Sequence, residues 1–121
     1  MHSDIQIDIE IAPRISIVQS TLNELKEQLP KGSEEKKTVK ELEQSIGEVK
    51  QTKSPEEAAK SPAMSKFRRF IQDLGDEKSS LGKAVKGIKN GVRIGQELAG
   101  YYNDIAQWCG LPQVPKPFLK K

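Results

Sequence analysis

The 121-residue chain is 35% hydrophobic and 31% charged, and its 20 basic and 17 acidic side chains leave a net charge of only +3. That balance, with a mean hydropathy of -0.64, fits one small folding unit and not the high-net-charge signature of a wholly disordered chain. One histidine (His2) and one cysteine (Cys109) provide no cluster to hold a metal and no disulfide, so the expectation is a non-enzymatic protein without cofactors that works by association.

The longest run free of Asp, Glu, Lys and Arg covers residues 105–115, far short of the roughly 20 apolar residues a spanning helix needs. No secretory signal pattern opens the chain, and with a lone cysteine this points to a cytoplasmic protein, with membrane association as an option. Position matters more than total charge. Residues 1–60 carry nine Lys/Arg and twelve Asp/Glu, while residues 61–121 carry eleven and five. The first half is acidic and the second basic.

In chain order, Ile5, Ile7, Ile9 and Ile11 alternate with polar residues, the period-2 pattern of a half-buried β-strand. A lone strand leaves backbone groups unpaired, so these isoleucines are candidates for an oligomer or partner interface by strand addition, an internal partner at residues 14–18 being the alternative. Val18, Leu22, Leu25 and Leu29, and then Val39, Leu42, Ile46 and Val49, have heptad-like steps of three and four. With the short turn at residues 29–33 they predict an antiparallel helical hairpin, whose stripes serve a bundle core or a coiled coil with another chain. Residues 1–50 thus form an N-terminal unit and the polar, proline-containing segment 51–62 a linker. A C-terminal helical unit follows over residues 63–121.

The C-terminal unit starts with a helix to Leu74 bearing Met64, Phe67, Phe70 and Ile71 on one side. Residues 81–98 then predict a Gly-rich amphipathic helix. Leu81, Ala84, Val85, Ile88 and Val92 share one face, and Lys83, Lys86, Lys89 and Arg93 another, with no acidic residue from Gly82 through Gln96. Gly87, Gly91 and Gly95 make a GxxxG-like stripe beside the apolar face, so they join the candidate oligomer or partner interface. Each glycine weakens an isolated helix by about 1 kcal/mol, so this one needs something packed on it. The four cations are candidates for contact with an anionic surface. The helix continues to Trp108, Gly110 stops it, and an extended tail with prolines follows, docking through Leu111, Val114, Phe118 and Leu119.

The fold expected is therefore mainly α, with one N-terminal β-strand. Its expected partners are a second copy of the chain, in a homo-oligomer, or another protein. The alternative is a membrane-active effector using helix 81–98 on an anionic bilayer. Nucleic-acid backbone binding is the weakest reading, since no aromatics interleave the cations and no recognition helix is evident.

Overall fold

A computed structural model of the chain describes residues 2–52, 54–76 and 78–114, with side chains from Ile11 onward. The helices are α1 (His2–Gln28), α2 (Glu34–Ile46), α3 (Pro55–Lys60), α4 (Pro62–Leu74), α5 (Ser80–Lys86) and α6 (Gly91–Cys109), and a 3-10 turn, Gly47–Gln51, extends α2.

The mainly α expectation holds, and the strand does not. No strand occurs among the described residues, and positions 5–11 are part of α1. The physical reason lies in pairing: a strand needs a ladder partner, and every other described element is helical or irregular. The apolar stripe of α1 also starts earlier than the sequence pattern suggested. Ile11, Ile15, Val18, Leu22, Leu25 and Leu29 are all buried, stepping by four and three, so the helical repeat overrides the alternation. Pro13 sits within this helix, where it cannot donate to the Ile9 carbonyl.

Four helices enclose the core, with α1 packing against α2 and α6, and α4 packing against the same two. The turn at residues 29–33 reverses the chain, with Gly32 in the left-handed region at φ +80°. Ser33 caps α2, its hydroxyl accepting from the Lys36 amide at 3.1 Å. Across the α1/α2 seam the Lys26 ammonium meets the Glu43 carboxylate at 2.8 Å. On the other side of α1, Arg14 pairs with Asp104 at 3.0 Å and Glu24 faces Arg93 at 3.7 Å. Moving forward along α1 thus means moving backward along α6, which makes this pair antiparallel. Lys66 at the start of α4 reaches Ser45 near the end of α2 at 3.4 Å. The result is an up-down-up-down bundle closed by the packing of α6 on α1.

One hydrophobic cluster runs from Ile11 to Val114 and draws on both the acidic and the basic half. The segment 51–62 carries α3, whose Ala58 is buried and which packs on α6. At the bundle centre the rings of Phe67 and Tyr102 meet edge to face, centroids 5.2 Å apart. Gly110, at φ +84°, ends α6 with a Leu111 amide bond to the Ala106 carbonyl at 2.8 Å, a Schellman-type closure. The tail is then latched by Asn103, whose side chain donates to the Val114 carbonyl at 2.9 Å and accepts from its amide at 2.8 Å.

The single helix expected over residues 81–98 is two. Helix α5 ends at Lys86, a turn follows, and Asn90 takes a left-handed conformation at φ 63° before α6 begins at Gly91. Two causes combine there. Ser79 starts a separate short helix by accepting from the Gly82 amide at 2.9 Å, and the poor helix propensity of glycine at Gly87 and Gly91 lets the chain fold back on itself. Gly91 is buried against α5, so close that a Cβ on it would overlap the Val85 carbonyl oxygen.

Candidate interaction surfaces

A helix that alternates apolar and polar residues turns about 200° between successive apolar ones, so it sorts them onto two opposite faces. In α1 this places Ile7 and Ile11 at the register of the core stripe and continues them into Ile15. Ile5 and Ile9 belong to the other face, and fourfold steps carry that row on to Pro13 and Ile17. Pro13 is exposed, and Ile17, 47% exposed, is the large hydrophobic side chain left open to solvent among the described residues. The outer row from Ile5 to Ile17 is about 18 Å long at helical rise. Of the four isoleucines read from sequence, Ile11 is buried at 4% exposure, and the side chains of Ile5, Ile7 and Ile9 lie outside those described. Pro13 and Ile17 were not singled out from sequence. Their signal was present in the i, i+4 spacing and was masked by the stronger alternation.

Helix α1 also outreaches its neighbours. Its 27 residues make about 40 Å, against about 28 Å for the 19 residues of α6. Continuing the register set by Arg14 and Asp104 puts Cys109, the end of α6, across from about residue 9. The first two turns of α1 therefore project past the end of α6.

The basic residues gather at the opposite end of the bundle, around the α5–α6 turn. Lys83, Lys86 and Lys89 are exposed and make no ion pair among the described residues. Arg93 is different: it pairs within α6 to Glu97 at 2.8 Å and faces Glu24 of α1. The apolar face expected to meet a membrane is taken up internally, with Leu81 and Val85 buried and Ala84 and Ile88 packed against the core. Of the glycine row, Gly87 is exposed in the turn while Gly91 and Gly95 are buried within the chain's own fold.

Two surface hollows complete the inventory. One, of 450 Å³, lies between α2 and α4 over Leu42 and Phe70, with Glu41, Lys66, Arg69 and Asp73 at its rim. The other, of 520 Å³, runs along α6 past Arg93, Glu97, Tyr101 and Asp104. Charges of both signs line each. No group of three or more His, Cys, Asp or Glu side chains that could hold a metal occurs among the described residues, and no described helix is long and apolar enough to cross a membrane. Cys109 is buried, and burial pushes its thiol above the ordinary range, the opposite of what an activated nucleophile requires.

Tyr102 is fully buried with no hydrogen-bond partner for its hydroxyl, and desolvation raises its pKa above the usual value near 10, against a smaller opposing effect of Arg68. Replacing Tyr102 with Phe removes an unsatisfied polar group from the core and is expected to raise stability by about 1 kcal/mol. The sign with pH follows from linkage: above pH 10 the unfolded chain gives up the phenolic proton before the folded one, so stability falls as pH rises. Denaturant titrations of wild type and Tyr102→Phe at neutral and alkaline pH check both parts. A variant less stable than wild type at neutral pH would show that the hydroxyl has a partner.

Comparison with known proteins gives no relative: no family model, no curated protein and no solved structure matches this chain.

Proposed function

We propose that this protein is a non-enzymatic, self-associating or partner-binding module, and that the outer face of α1 is its contact surface. The observation that carries this reading is the exposed Ile17, one turn after the exposed Pro13 on the side of α1 away from its core stripe. These two residues, set opposite the stripe already spent on the core, leave apolar area in water at a cost of about 25 cal/mol per Å² until something covers it. A helix-on-helix contact is the economical cover, since α1 presents the i, i+4 spacing that a second helix reads.

The test uses Ile9→Asp combined with Ile17→Asp, compared with wild type by size-exclusion chromatography with light scattering and by circular dichroism. Association is expected to weaken by at least tenfold, roughly 1.4 kcal/mol, with helix content unchanged because position 17 is exposed. Ile11→Asp serves as the contrast: a charge placed in the core is expected to unfold the bundle. Unchanged association in the double variant overturns the reading.

A second reading has its own support. The exposed, unpaired Lys83, Lys86 and Lys89 suit contact with an anionic bilayer surface, held by charge rather than by insertion, since the neighbouring apolar residues pack inward. Sedimentation with anionic vesicles at low salt, with Lys83→Glu, Lys86→Glu and Lys89→Glu combined as the control, tests it. Binding lost in the triple variant supports this contact, and no binding by wild type overturns it.

A further inference from the structure

We infer that the Asn90–Gly91 peptide is a site of spontaneous deamidation and isomerisation, held closed by the α5–α6 turn, and that its isoaspartyl product keeps that turn from re-forming.

The chain has asparagines at 23, 90 and 103, and Asn90 alone precedes a glycine. Asn23 lies within α1, and Asn103 spends its side chain on Val114. Asn90 is exposed, and its side chain makes no capping bond to α6. Gly91 has no Cβ to shield its nitrogen. The chemistry follows from that pairing. The Gly91 nitrogen bonds to the side-chain carbonyl carbon of Asn90 and gives up its proton, and the bond from that carbon to the amide nitrogen breaks as ammonia leaves. Water then opens the five-membered imide at either carbonyl. One opening gives aspartate. The other gives isoaspartate, whose backbone runs through the side chain and is one methylene longer. Overall an amide and a water become a carboxylate and an ammonium ion, with no oxidant or reductant consumed.

The folded turn opposes the first step. Ring closure needs the Gly91 nitrogen swung over the Asn90 Cβ, and at φ 63° and ψ 12° it lies well away from that position. The same amide donates to the Ile88 carbonyl at 3.0 Å, and the Asn90 carbonyl accepts from the Ile94 amide at 2.9 Å. Gly91 is also wedged against the Val85 carbonyl, so the peptide cannot rotate unless α5 moves off α6. Reaction is therefore confined to open states of the turn. The two products differ in what they allow afterwards. Aspartate tolerates the left-handed conformation and places its charge favourably at the start of α6. Isoaspartate inserts its methylene next to Gly91, where there is no room even for a Cβ.

The full chain is incubated at mildly alkaline pH in buffer and in denaturing urea, and peptide mapping by mass spectrometry reads conversion at each asparagine and the linkage formed. Asn90 is expected to convert ahead of Asn23 and Asn103, at least about tenfold more slowly in buffer than in urea. Val85→Ala, which loosens α5 on α6 without touching the dipeptide, is expected to raise the rate in buffer, as is sub-denaturing urea on wild type; circular dichroism checks that helix is retained. The purified isoaspartyl chain is expected to melt below Asn90→Asp, which stays close to wild type. No conversion at Asn90 in urea, or earlier conversion at Asn23 or Asn103, overturns the site. Equal rates in buffer and in urea overturn its closure by the fold. An isoaspartyl chain as stable as Asn90→Asp overturns the effect on the turn.

Discussion

Gly91→Ala is expected to cost about 3 kcal/mol or more, at the severe end of single substitutions. The added methyl would overlap the Val85 carbonyl oxygen and press on Ile88, whose Cγ1 would be 2.8 Å away. The first of these is backbone, which no side-chain rotation can relieve. To make room, α5 must separate from the start of α6, and that separation pulls Val85 and Ile94, both fully buried, out of register. At about 4 °C per kcal/mol for a chain of this length, the melting temperature should fall by roughly 12 °C. The experiment also discriminates between two roles for the glycine. A contact within the chain predicts lost stability of the monomeric fold, measured by denaturant at low protein concentration. A contact between chains predicts a stable monomer with altered association, and that result would reverse the assignment of Gly91.

Phe67→Ala is expected to cost about 3–5 kcal/mol, the usual range for deleting a buried aromatic ring. Phe67 is fully buried, and its edge-to-face contact with Tyr102 joins α4 to α6 at the centre of the ring of helices. The consequence reaches beyond α4, because the same cluster holds Leu22 and Leu25 of α1 and Val39 of α2. Loss of the ring should therefore lower the unfolding midpoint of the whole chain in one cooperative transition, the behaviour of a single core. Circular dichroism and tryptophan fluorescence from Trp108 provide two probes. Coincident curves at a lower midpoint are the expected result. A first transition at Trp108 followed by a later loss of helix would instead mean that the acidic hairpin folds separately from the basic half.

Much of the architecture was legible because helical stripes survive in a sequence whatever they pack against. Val18, Leu22, Leu25 and Leu29 and the stripe from Val39 to Val49 are buried as their spacing required. So are Met64, Phe67, Phe70 and Ile71, and Ser33, in the turn expected between the two helices, caps the second. The stops at Gly110 and the docking of Val114 follow from the same local chemistry. What the sequence obscured has two sources. Alternation at residues 5–11 has the same signature whether it lays four isoleucines on one side of a strand or splits them between two sides of a helix. Only the burial of Ile11 and Ile15 with the exposure of Ile17 distinguishes these. The amphipathic segment 81–98 is also consistent with one helix or two, because its apolar residues recur with helical period on both sides of the break. The left-handed Asn90 and the tight approach of Gly91 to Val85 are tertiary features, and no periodicity announces them.

These same two revisions move the candidate site. A membrane-facing helix needed its apolar side free, and that side is occupied by the core. The isoleucines lost their shared strand face, yet the split leaves half of them on a row that ends in an exposed Ile17. The proposed contact surface is therefore the outer side of α1, where Ile17 is exposed.

The most direct test is sedimentation velocity of the intact chain over a concentration series from sub-micromolar to hundreds of micromolar. Self-association through α1 predicts a mass that rises above the 13.5 kDa of one chain as concentration increases. A mass that stays at 13.5 kDa across the whole series would contradict it.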